Sequence, residues 1–344
     1  MPVSEHFRLR RDGNRRIDNL RLRARALRRL RAFFDAEDFL EIEAPLLVPS
    51  PGLELHLDAF AVPGAGYLIT SPEYQLKRLL AAGLPRIYSL ARCFRRGEAG
   101  PRHNPEFTMV EWYRAPGTWQ EVAADVERLT AALAHEVAGG AVVVRDGRSI
   151  DLSPPWERLS VREAMQRHAG IDLRGDESLE ELTAKVEGSG RRVPVLGPGQ
   201  GQEMAAWDDV FFSVFLDAVE PNLGQSRPTL LYDWPAPLCA LARRKPGDPA
   251  VVERFEAYAG GLELCNGFGE LIDAVEQRAR LFADREERAR RGLPQYPVDE
   301  RFLDALAEGI PAAGGVALGF DRVCMLLLGA ATLRDVTAFT VDEL

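Results

Sequence analysis

The chain has 344 residues, of which 46% are hydrophobic and 28% charged, a composition typical of a soluble globular protein. Its formal charge of −9 argues against a protein held mainly by nucleic-acid phosphates, because such proteins are usually basic. The apolar run at residues 323–331 is far shorter than the roughly 20 residues of a membrane-spanning helix, and the N-terminal sequence has no apolar signal-peptide core. The cysteines are widely spaced, which predicts a reducing, cytoplasmic location; they are Cys93, Cys239, Cys265 and Cys324.

Residues 1–18 are predicted to form a polar lead-in, and residues 19–344 a single domain. Apolar side chains at steps of three or four residues predict an amphipathic helix from Asn19 to Phe34, with a stripe of Leu20, Ala24, Leu27, Leu30 and Phe34. The other face of this helix is basic, which fits either a solvated surface or a docking site for an acidic partner; it carries Arg21, Arg25, Arg28 and Arg29. An alternating run at residues 39–43 then predicts a strand that stops at Pro45.

Further along the chain, alternating runs at residues 86–95 and 105–114 predict two paired strands around a polar loop. Capping-box patterns at residues 118–121 and 160–163 predict two helix starts. Residues 172–202 are weakly patterned and are predicted to be a surface insertion. Strands are expected to resume at residues 229–232, 254–258 and 262–268, and a strand and helix to close the chain over 316–328. Helices outside a run of hairpin-connected strands predict an α+β domain on an antiparallel sheet.

The first candidate site lies within residues 86–114. Alternation along its second strand places Phe107, Met109, Glu111 and Tyr113 on one face. An acid and a phenol beside apolar side chains would form a pocket with an apolar body and a polar end, which suits a long aliphatic cation. The alternative is that Glu111 pairs with a surface arginine.

The second candidate site is a predicted hairpin at residues 254–271. A turn at residues 259–260 would place Glu256 directly opposite Glu263, and a turn at residues 260–261 would make them diagonal neighbours on one face. Like charges across a sheet are destabilising, and a Mg²⁺ ion with a bound phosphate would reverse that penalty. A three-residue loop would instead separate the two faces and remove this argument.

The third candidate site is a predicted strand that ends at Gly319, followed by a helix that begins near Asp321. Arg322 would then lie in the first helical turn, where the helix dipole disfavours a cation. A bound anion would explain this position, because helix N-termini with an added arginine hold phosphates. Gly315 and Gly319 would let a ligand approach the backbone. The alternative is that Arg322 pairs with a nearby acid.

Together these segments resemble the class II aminoacyl-tRNA synthetases of the lysyl type. The helix and strand ending at Pro45 are similar to motif 1 of that family, residues 94–114 to motif 2 and residues 315–322 to motif 3. The sequences TSPEYQLKR at 70–78 and ELCNGFGEL at 263–271 are similar to its lysine-specific blocks. The resemblance covers roughly residues 20–344, and it implies a catalytic domain that uses ATP and Mg²⁺ and forms a homodimer.

Only about 18 residues precede motif 1, which is too few for the anticodon-binding barrel of a lysyl-tRNA synthetase. In this respect the chain resembles a stand-alone paralogue family of ligases. That family activates lysine or (R)-β-lysine as an adenylate and transfers it to a lysine side chain of elongation factor P. The resemblance therefore implies these molecules as partners, with no membrane and no stable tRNA binding.

The resemblance also implies roles for individual residues. Arg95 and Arg322 would be the catalytic arginines, on the α- and γ-phosphates. Phe107 would stack on the adenine, framed by His103 and Asn104. The implied ATP-binding residues are Arg95, Arg96, Gly97, Glu98, His103, Asn104, Phe107, Glu263, Leu264, Gly319 and Arg322. Mg²⁺ would be held by Glu256 and Glu263.

In the same way, Glu111, Tyr113 and Glu270 would bind the distal ammonium of the substrate. Glu73 would lie near the amino group at the reacting end, and Asn266 near the carboxylate. The implied substrate-binding residues are Ser71, Pro72, Glu73, Glu111, Tyr113, Asn266, Glu270 and Ala317.

The sequence departs from the synthetase pattern at two positions. Gly97 stands where the family usually has a glutamate, so Glu98 would have to replace it after a shift of the loop. Ala317 stands where lysyl-tRNA synthetases tend to have glycine, as in the stand-alone ligases, and predicts a preference for (R)-β-lysine. The competing hypotheses are an adenylate-forming enzyme with a tRNA or small-molecule acceptor, and a non-catalytic regulatory paralogue.

Overall fold

The computed structural model describes residues 15–193 and 206–344. Its centre is a nine-stranded sheet in the spatial order β1-β5-β6-β14-β13-β12-β10-β9, with β11 paired to β12. The pairs β1–β5 and β10–β9 are parallel, and the other pairs are antiparallel. The strands are β1 (Leu40–Glu41), β5 (Arg86–Phe94), β6 (Glu106–Arg114), β9 (Glu157–Ser160), β10 (Thr229–Pro235), β11 (Arg244–Lys245), β12 (Asp248–Ala259), β13 (Leu262–Gly269) and β14 (Gly314–Gly319).

Two small sheets accompany the central one. They are formed by β2 (Leu47–Val48), β3 (Ala61–Val62) and β4 (Gly66–Leu68), and by β7 (Val142–Arg145) and β8 (Arg148–Asp151). The α-helices are α1 (Arg15–Ala36), α2 (Glu73–Ala81), α3 (Trp119–Ala138), α4 (Val161–Ala169), α5 (Leu179–Gly188), α6 (Trp207–Val214), α7 (Ala274–Arg290), α8 (Glu300–Glu308) and α9 (Phe320–Leu327). None of these helices in the described ranges combines the length and the hydropathy needed to cross a bilayer. The predicted α+β architecture, an antiparallel sheet flanked by helices, is confirmed.

Three hydrophobic clusters hold the helices against the sheet. The first cluster buries Phe34 of α1, Val126 of α3 and Phe320 of α9 against Trp112 and Leu318 of the sheet. The second cluster lies under α4, α5 and α6, and the third packs α2 against α8, where the rings of Tyr74 and Phe302 stack with centroids 4.4 Å apart. The sheet face opposite the first cluster is thereby left for the cavity described below.

The strand alternation of β6 follows the prediction. Val110 and Trp112 belong to the first cluster, whereas Phe107, Met109 and Glu111 line the cavity on the other face. Both predicted capping boxes are present, at Thr118 before α3 and at Ser160 before α4.

The β12–β13 hairpin turns at residues 260–261, the second of the two predicted registers. Tyr258 lies opposite Glu263, and a bulge then shifts the register so that Glu256 lies opposite Asn266. The direct Glu256–Glu263 pairing of the first register is therefore wrong. Because the bulge adds one residue, Glu263 and Asn266 share a face although three positions separate them.

Helix α1 begins at Arg15, four residues before the predicted start. Its buried face differs from the predicted stripe: Ala24 is exposed, whereas Arg16, Asn19, Ala26 and the Phe33–Phe34 pair are buried. Polar Arg16 is buried because its guanidinium binds the Glu343 carboxylate at 2.7 and 2.6 Å. Residues 1–14 of the predicted lead-in lie outside the described residues.

The segment predicted as a surface insertion contains helix α5. Leu182 and Val186 of this helix are fully buried in the second cluster, together with Leu173. Residues 172–193 thus contribute to a core, and residues 194–202 of the predicted insertion lie outside the described residues.

Candidate active site

A cavity of about 450 Å³ opens on the sheet face opposite the first cluster. Strands β6, β12, β13 and β14, the starts of helices α2 and α9, the loop that follows β5 and the loop at residues 51–58 all contribute to its wall. Most of the predicted site residues meet there, namely Ser71, Glu73, Arg95, Glu98, His103, Asn104, Phe107, Glu111, Glu263, Leu264, Asn266, Ala317, Gly319 and Arg322.

One end of the cavity is lined by the acids Glu73 and Glu111, and Glu270, which does not itself line the cavity, joins them through Lys77. Glu111 lies in the middle of β6 and accepts a 2.6 Å hydrogen bond from the Tyr113 hydroxyl. Glu270 follows β13, and Glu73 begins α2, where the helix dipole favours a carboxylate. Between Glu73 and Glu270 lies Lys77, whose Nζ is 2.6 Å from an oxygen of each.

Burial decides the charge of these groups. It raises the pKa of Glu111 well above its usual range, and the nearby charge of Glu73 adds to the shift. Burial also raises the pKa of Glu270 to about 7, although Lys77 opposes that shift. Burial alone would lower the pKa of Lys77, but Glu270 and Glu73 outweigh it and raise that pKa above its ordinary value. Lys77 is therefore a permanent cation in this cluster.

Several acceptor atoms in this end have no hydrogen-bond partner among the described residues. They are Oε2 of Glu111, Oε1 of Glu270 and Oδ1 of Asn266. Buried acceptors without donors are costly. A ligand ammonium, which carries three N–H donors and no acceptor, would satisfy them.

Gly315 packs directly against the side chains of this acidic cluster. A Cβ added at Gly315 would lie 2.3 Å from Oε1 of Glu270 and 2.3 Å from Cε1 of Tyr113. The predicted close approach at Gly315 is thus made by the protein's own side chains. At Gly319 the nearest atom to an added Cβ is 3.7 Å away, so that position stays open toward the cavity.

The opposite end of the cavity is basic. Arg95 stacks over the Phe107 ring at 5.0 Å, and its nearest acid is Glu98, at 3.7 Å between Nη1 and Oε1. Its Nε is buried without a partner among the described residues. A long ion pair and an unpaired N–H leave Arg95 able to bind an anion.

Arg322 occupies the first turn of α9, as predicted. Its Nη1 donates to the backbone oxygen of Glu263 at 3.1 Å and lies 3.3 Å from Oε2 of the same residue. Its Nη2 lies 2.7 Å from Nε2 of His103. Burial and the adjacent Arg322 charge lower the pKa of His103, so the imidazole is neutral and accepts this hydrogen bond. Arg322 thus has the acidic neighbour that the alternative interpretation required, and it also lines the cavity.

The negative charge of Glu256 is compensated by the protein itself, without a metal ion. Its carboxylate lies 2.5 Å from Arg254 Nη2 and also accepts from the Tyr258 hydroxyl. Burial raises its pKa to about 7. The like-charge argument for Mg²⁺ at the predicted pair therefore loses its basis, because Arg254 already balances Glu256. Among the described residues no group of three or more His, Cys, Asp or Glu is placed to hold a metal ion.

Some predicted site residues lie away from the cavity surface or have other structural contacts. Arg96 turns outward to Asp58, 3.2 Å away, and Gly97 has no side chain to contribute. Asn104 lines the cavity, but its amide binds the backbone of Glu106 and Val341. The remaining residues of the predicted set that do not line the cavity are Pro72, Tyr113, Glu256 and Glu270.

No site role was predicted for Lys77, Glu54 or Asp321. Lys77 lies four residues after Glu73, the spacing of a helical ion pair, which is a signal that was available. Asp321 accepts from the Thr108 backbone at 2.8 Å and pairs with Arg23 at 2.6 Å, which anchors α1 to the site. Glu54 lies in an irregular loop, where no periodicity marks it.

The class of this protein is defined by an antiparallel sheet with one arginine directly after strand β5 and another in the first turn of the helix that follows β14. The family of tRNA synthetases class II (D, K and N) matches residues 4–343, so the chain belongs to the class II synthetases. A protein of Salmonella dublin, named elongation factor P–(R)-β-lysine ligase, is 41% identical over 338 residues, which are 95% of this chain and 96% of that protein. A protein of the same name from Klebsiella pneumoniae strain 342 is 40% identical over the same shares. Within class II, the chain belongs to the family of these ligases.

Proposed function

We propose that this protein activates (R)-β-lysine, or lysine, as an adenylate with ATP and transfers it to a lysine side chain of elongation factor P. The ligases of Salmonella dublin and Klebsiella pneumoniae support the reaction, since this chain spans 96% of their length. The unpaired acceptors of the acidic end support the amino-acid substrate, and they are the observation that carries the proposal.

The charge of the acidic end fits a diamine. When Glu73, Glu111 and Glu270 are ionised, Lys77 compensates one of the three and two negative charges remain. Lysine and (R)-β-lysine each carry two ammonium groups. A buried acid that stays without a partner is costly, so we infer that the substrate supplies the missing cations.

Activation needs orientation and charge stabilisation more than acid–base catalysis. With the ammonium groups held at the acidic end, the substrate carboxylate would point toward Arg95. Arg95 would bind the α-phosphate that this carboxylate attacks in line, and Arg322 would bind the γ-phosphate. Positioning and preorganised positive charge supply most of the acceleration in such reactions.

The residues present fit a Mg²⁺ ion bound together with ATP. Glu263 lines the cavity and its side chain is 40% exposed, and Mg²⁺ is commonly held by one or two carboxylates together with substrate phosphates. Glu263 would be the main protein ligand, with Glu256 behind it on the same face of the hairpin. When bound, the ion would neutralise charge on the phosphates.

The experiment that tests the function is an intact-mass measurement of elongation factor P after incubation with enzyme, ATP and (R)-β-lysine. We expect a mass increase of one β-lysyl residue, and none without ATP. No added mass together with efficient charging of lysine tRNA would overturn the assignment of elongation factor P as the acceptor. Absence of ATP–pyrophosphate exchange with any lysine-type amino acid would overturn the activation chemistry as well, and would favour a non-catalytic regulator.

We also infer a homodimer. The segment after α1 exposes Leu40, Leu46 and Leu47, at 52%, 40% and 45%. Several exposed large apolar side chains within one short segment are typical of a protein interface. Light scattering should give twice the chain mass of 38.1 kDa, whereas a monomer mass at micromolar concentration would contradict it.

A further inference from the structure

One carboxylate of the cavity wall has no part in the chemistry described so far. Glu54 lies in the loop at residues 51–58, which crosses one side of the cavity. It belongs neither to the strands that carry Glu111 and Arg95 nor to the helix that carries Glu73. The loop is irregular, so its shape must come from contacts made by other elements.

Arg288 of α7 supplies these contacts. Its side chain is fully buried beneath the loop, and it donates to the backbone oxygens of Glu54 at 2.7 Å and Leu57 at 3.1 Å. It also donates to the Pro294 oxygen at 2.8 Å and pairs with Asp58 at 2.8 Å. A buried arginine that binds several carbonyl groups of one loop fixes that loop, so the backbone of Glu54 has a defined position.

The side chain of Glu54 is placed by Gly52. The backbone of Gly52 has φ +111°, and a Cβ added there would lie 2.4 Å from Oε2 of Glu54. The carboxylate thus occupies the space that glycine leaves free. Within residues 15–193 and 206–344 it has no salt bridge and no hydrogen bond with another side chain. A held carboxylate whose only hydrogen bond is to its own backbone is available to a substrate.

The charges that face Glu54 come from three elements. Glu73 of α2 and Asp284 of α7 are acidic, and Arg95, in the loop directly after β5, is basic. Burial, followed by the charge of Glu73, raises the pKa of Glu54 to about 7. Glu54 is thus close to both Glu73 and Arg95, the groups proposed for the reacting-end amine and the α-phosphate, and the acyl carbon of the adenylate would lie near them.

We propose that Glu54 is the general base of the transfer step, accepting the proton of the acceptor lysine ammonium inside the cavity. The inference rests on the proposed function, because it requires an adenylate and an amine acceptor. Glu54 is a half-buried residue of the cavity wall, so an acceptor side chain that enters the cavity can reach it without rearrangement of the sheet. A base with a pKa near the working pH is the efficient choice for this transfer.

In the proposed transfer step, the Glu54 carboxylate takes one proton from the acceptor ammonium and leaves a neutral amine. The amine nitrogen attacks the acyl carbon of the adenylate and forms the C–N bond, and the bond between that carbon and the phosphate oxygen breaks. AMP leaves with the electron pair, and the second proton of the nitrogen passes to water. Glu54 then loses its own proton to water and is ready again.

The test separates the two half-reactions in the Glu54→Gln variant. We expect single-turnover transfer to elongation factor P to slow by roughly 10²-fold more than pyrophosphate exchange does, in line with the usual contribution of a general base. The wild-type transfer rate should rise with pH and level off above about pH 7. In the variant it should keep rising toward pH 9, because only deprotonation of the free amine then supplies the nucleophile.

Hydroxylamine provides a chemical control, since its nitrogen is already neutral at pH 7. The variant should transfer the acyl group of the adenylate to hydroxylamine, with release of AMP, as fast as the wild type does. Glu180→Gln, an exposed glutamate on α5, is the matched control and should behave as the wild type. Glu54→Asp keeps the acid and should keep the pH profile at a lower rate, even if the glutamine variant folds poorly.

Equal losses of pyrophosphate exchange and of transfer in Glu54→Gln would overturn the assignment of Glu54 as the base and would make it a binding residue. Unchanged transfer in the glutamine variant would overturn it too, as would a wild-type pH profile in that variant. Failure of the wild-type enzyme itself to modify elongation factor P would count against the proposed function, and would be visible before any variant is compared.

Discussion

At the scale of single residues, Glu111 is a carboxylate that folding alone would not favour. It is 2% exposed, and one of its oxygens has no partner among the described residues. Removing one partner of a buried ion pair costs about 3–5 kcal/mol. Glu111→Gln should therefore lower kcat/KM for lysine-type substrates in pyrophosphate exchange by roughly 10²–10³, with little change in the KM for ATP.

The control for this variant is Glu106→Gln. Glu106 lies on the same strand, but its side chain is 52% exposed and pairs with Arg92 at 3.6 Å. This control should leave exchange unchanged. A loss of less than threefold in Glu111→Gln would show that the substrate ammonium binds elsewhere.

The raised pKa values of Glu111 and Glu270 predict a pH dependence of substrate binding. Burial disfavours the charge of both carboxyls in the free enzyme and raises their pKa values, that of Glu270 to about 7, so Glu270 is partly protonated near pH 7. An arriving ammonium lowers both pKa values, so binding must release protons at pH 6.5–7. The affinity for the amino acid should accordingly rise from pH 6 to pH 8. Calorimetry in two buffers of different ionisation enthalpy measures the proton count, and proton uptake would contradict the assignment.

Ala317 lies between two proposed substrate residues. In the sheet it is opposite Glu111 on β6 and opposite Asn266 on β13, and it lines the cavity. A methyl group at this place changes the floor near the reacting end of the substrate. A change of one methyl group is worth about 1–3 kcal/mol in discrimination. Ala317→Gly should shift the preference from (R)-β-lysine toward lysine in parallel adenylation assays; a wild-type preference for lysine would contradict this interpretation.

At the scale of elements, the β12–β13 turn fixes where Glu263 lies. Gly260 and Gly261 have φ of +57° and +71°, a conformation that costs about 1 kcal/mol or more for other residues. A Cβ at Gly260 would also lie 2.7 Å from Ile150 Cδ1, whereas a Cβ at Gly261 meets no atom within 4 Å. Gly260→Ala should thus lower the free energy of unfolding more than Gly261→Ala, as measured by urea denaturation. Equal losses of stability in the two variants would mean that the backbone conformation alone, and not the contact with Ile150, determines the effect.

Elements with one buried face could be predicted from the sequence. Strands β5 and β6 appear as alternating runs because Tyr88 of β5 and Trp112 of β6 belong to the first cluster, whereas the alternate side chains of β6 line the cavity. The capping boxes at Thr118 and Ser160 are local, since each satisfies backbone N–H groups within four residues. Local chemistry of this kind does not depend on the rest of the chain.

Features that depend on distant partners could not be predicted in this way. The bulge in β13 depends on pairing with two neighbouring strands, and it decides that Asn266 and Glu263 share a face. The burial of Lys77 depends on Glu270, nearly two hundred residues away in sequence. Helix α5 is short and mostly polar, and tertiary packing of Leu182 and Val186 determines its place.

At the scale of the whole molecule, the net charge of −9 makes broad binding to tRNA phosphates unfavourable. A local basic surface is the remaining electrostatic route to an acidic partner. On α1, Arg21 pairs with Asp18 at 2.8 Å and Arg25 with Glu136 at 2.9 Å, so these two charges are partly offset. Arg28 and Arg29 lie on the same helix, and Arg28 is exposed. They are the better candidates for the predicted docking face.

Reversing the charge of Arg28 and Arg29 to glutamate should raise the KM for elongation factor P. The increase should be larger at low salt, because the Debye length shrinks to about 8 Å at physiological ionic strength and screens surface charges. Pyrophosphate exchange should be unchanged, since adenylate formation does not involve the acceptor and neither arginine lines the cavity. Steady-state transfer at two salt concentrations measures the effect. Normal transfer by the double variant at low salt would show that the acceptor docks on another surface, while adenylate formation at the acidic end would be unaffected.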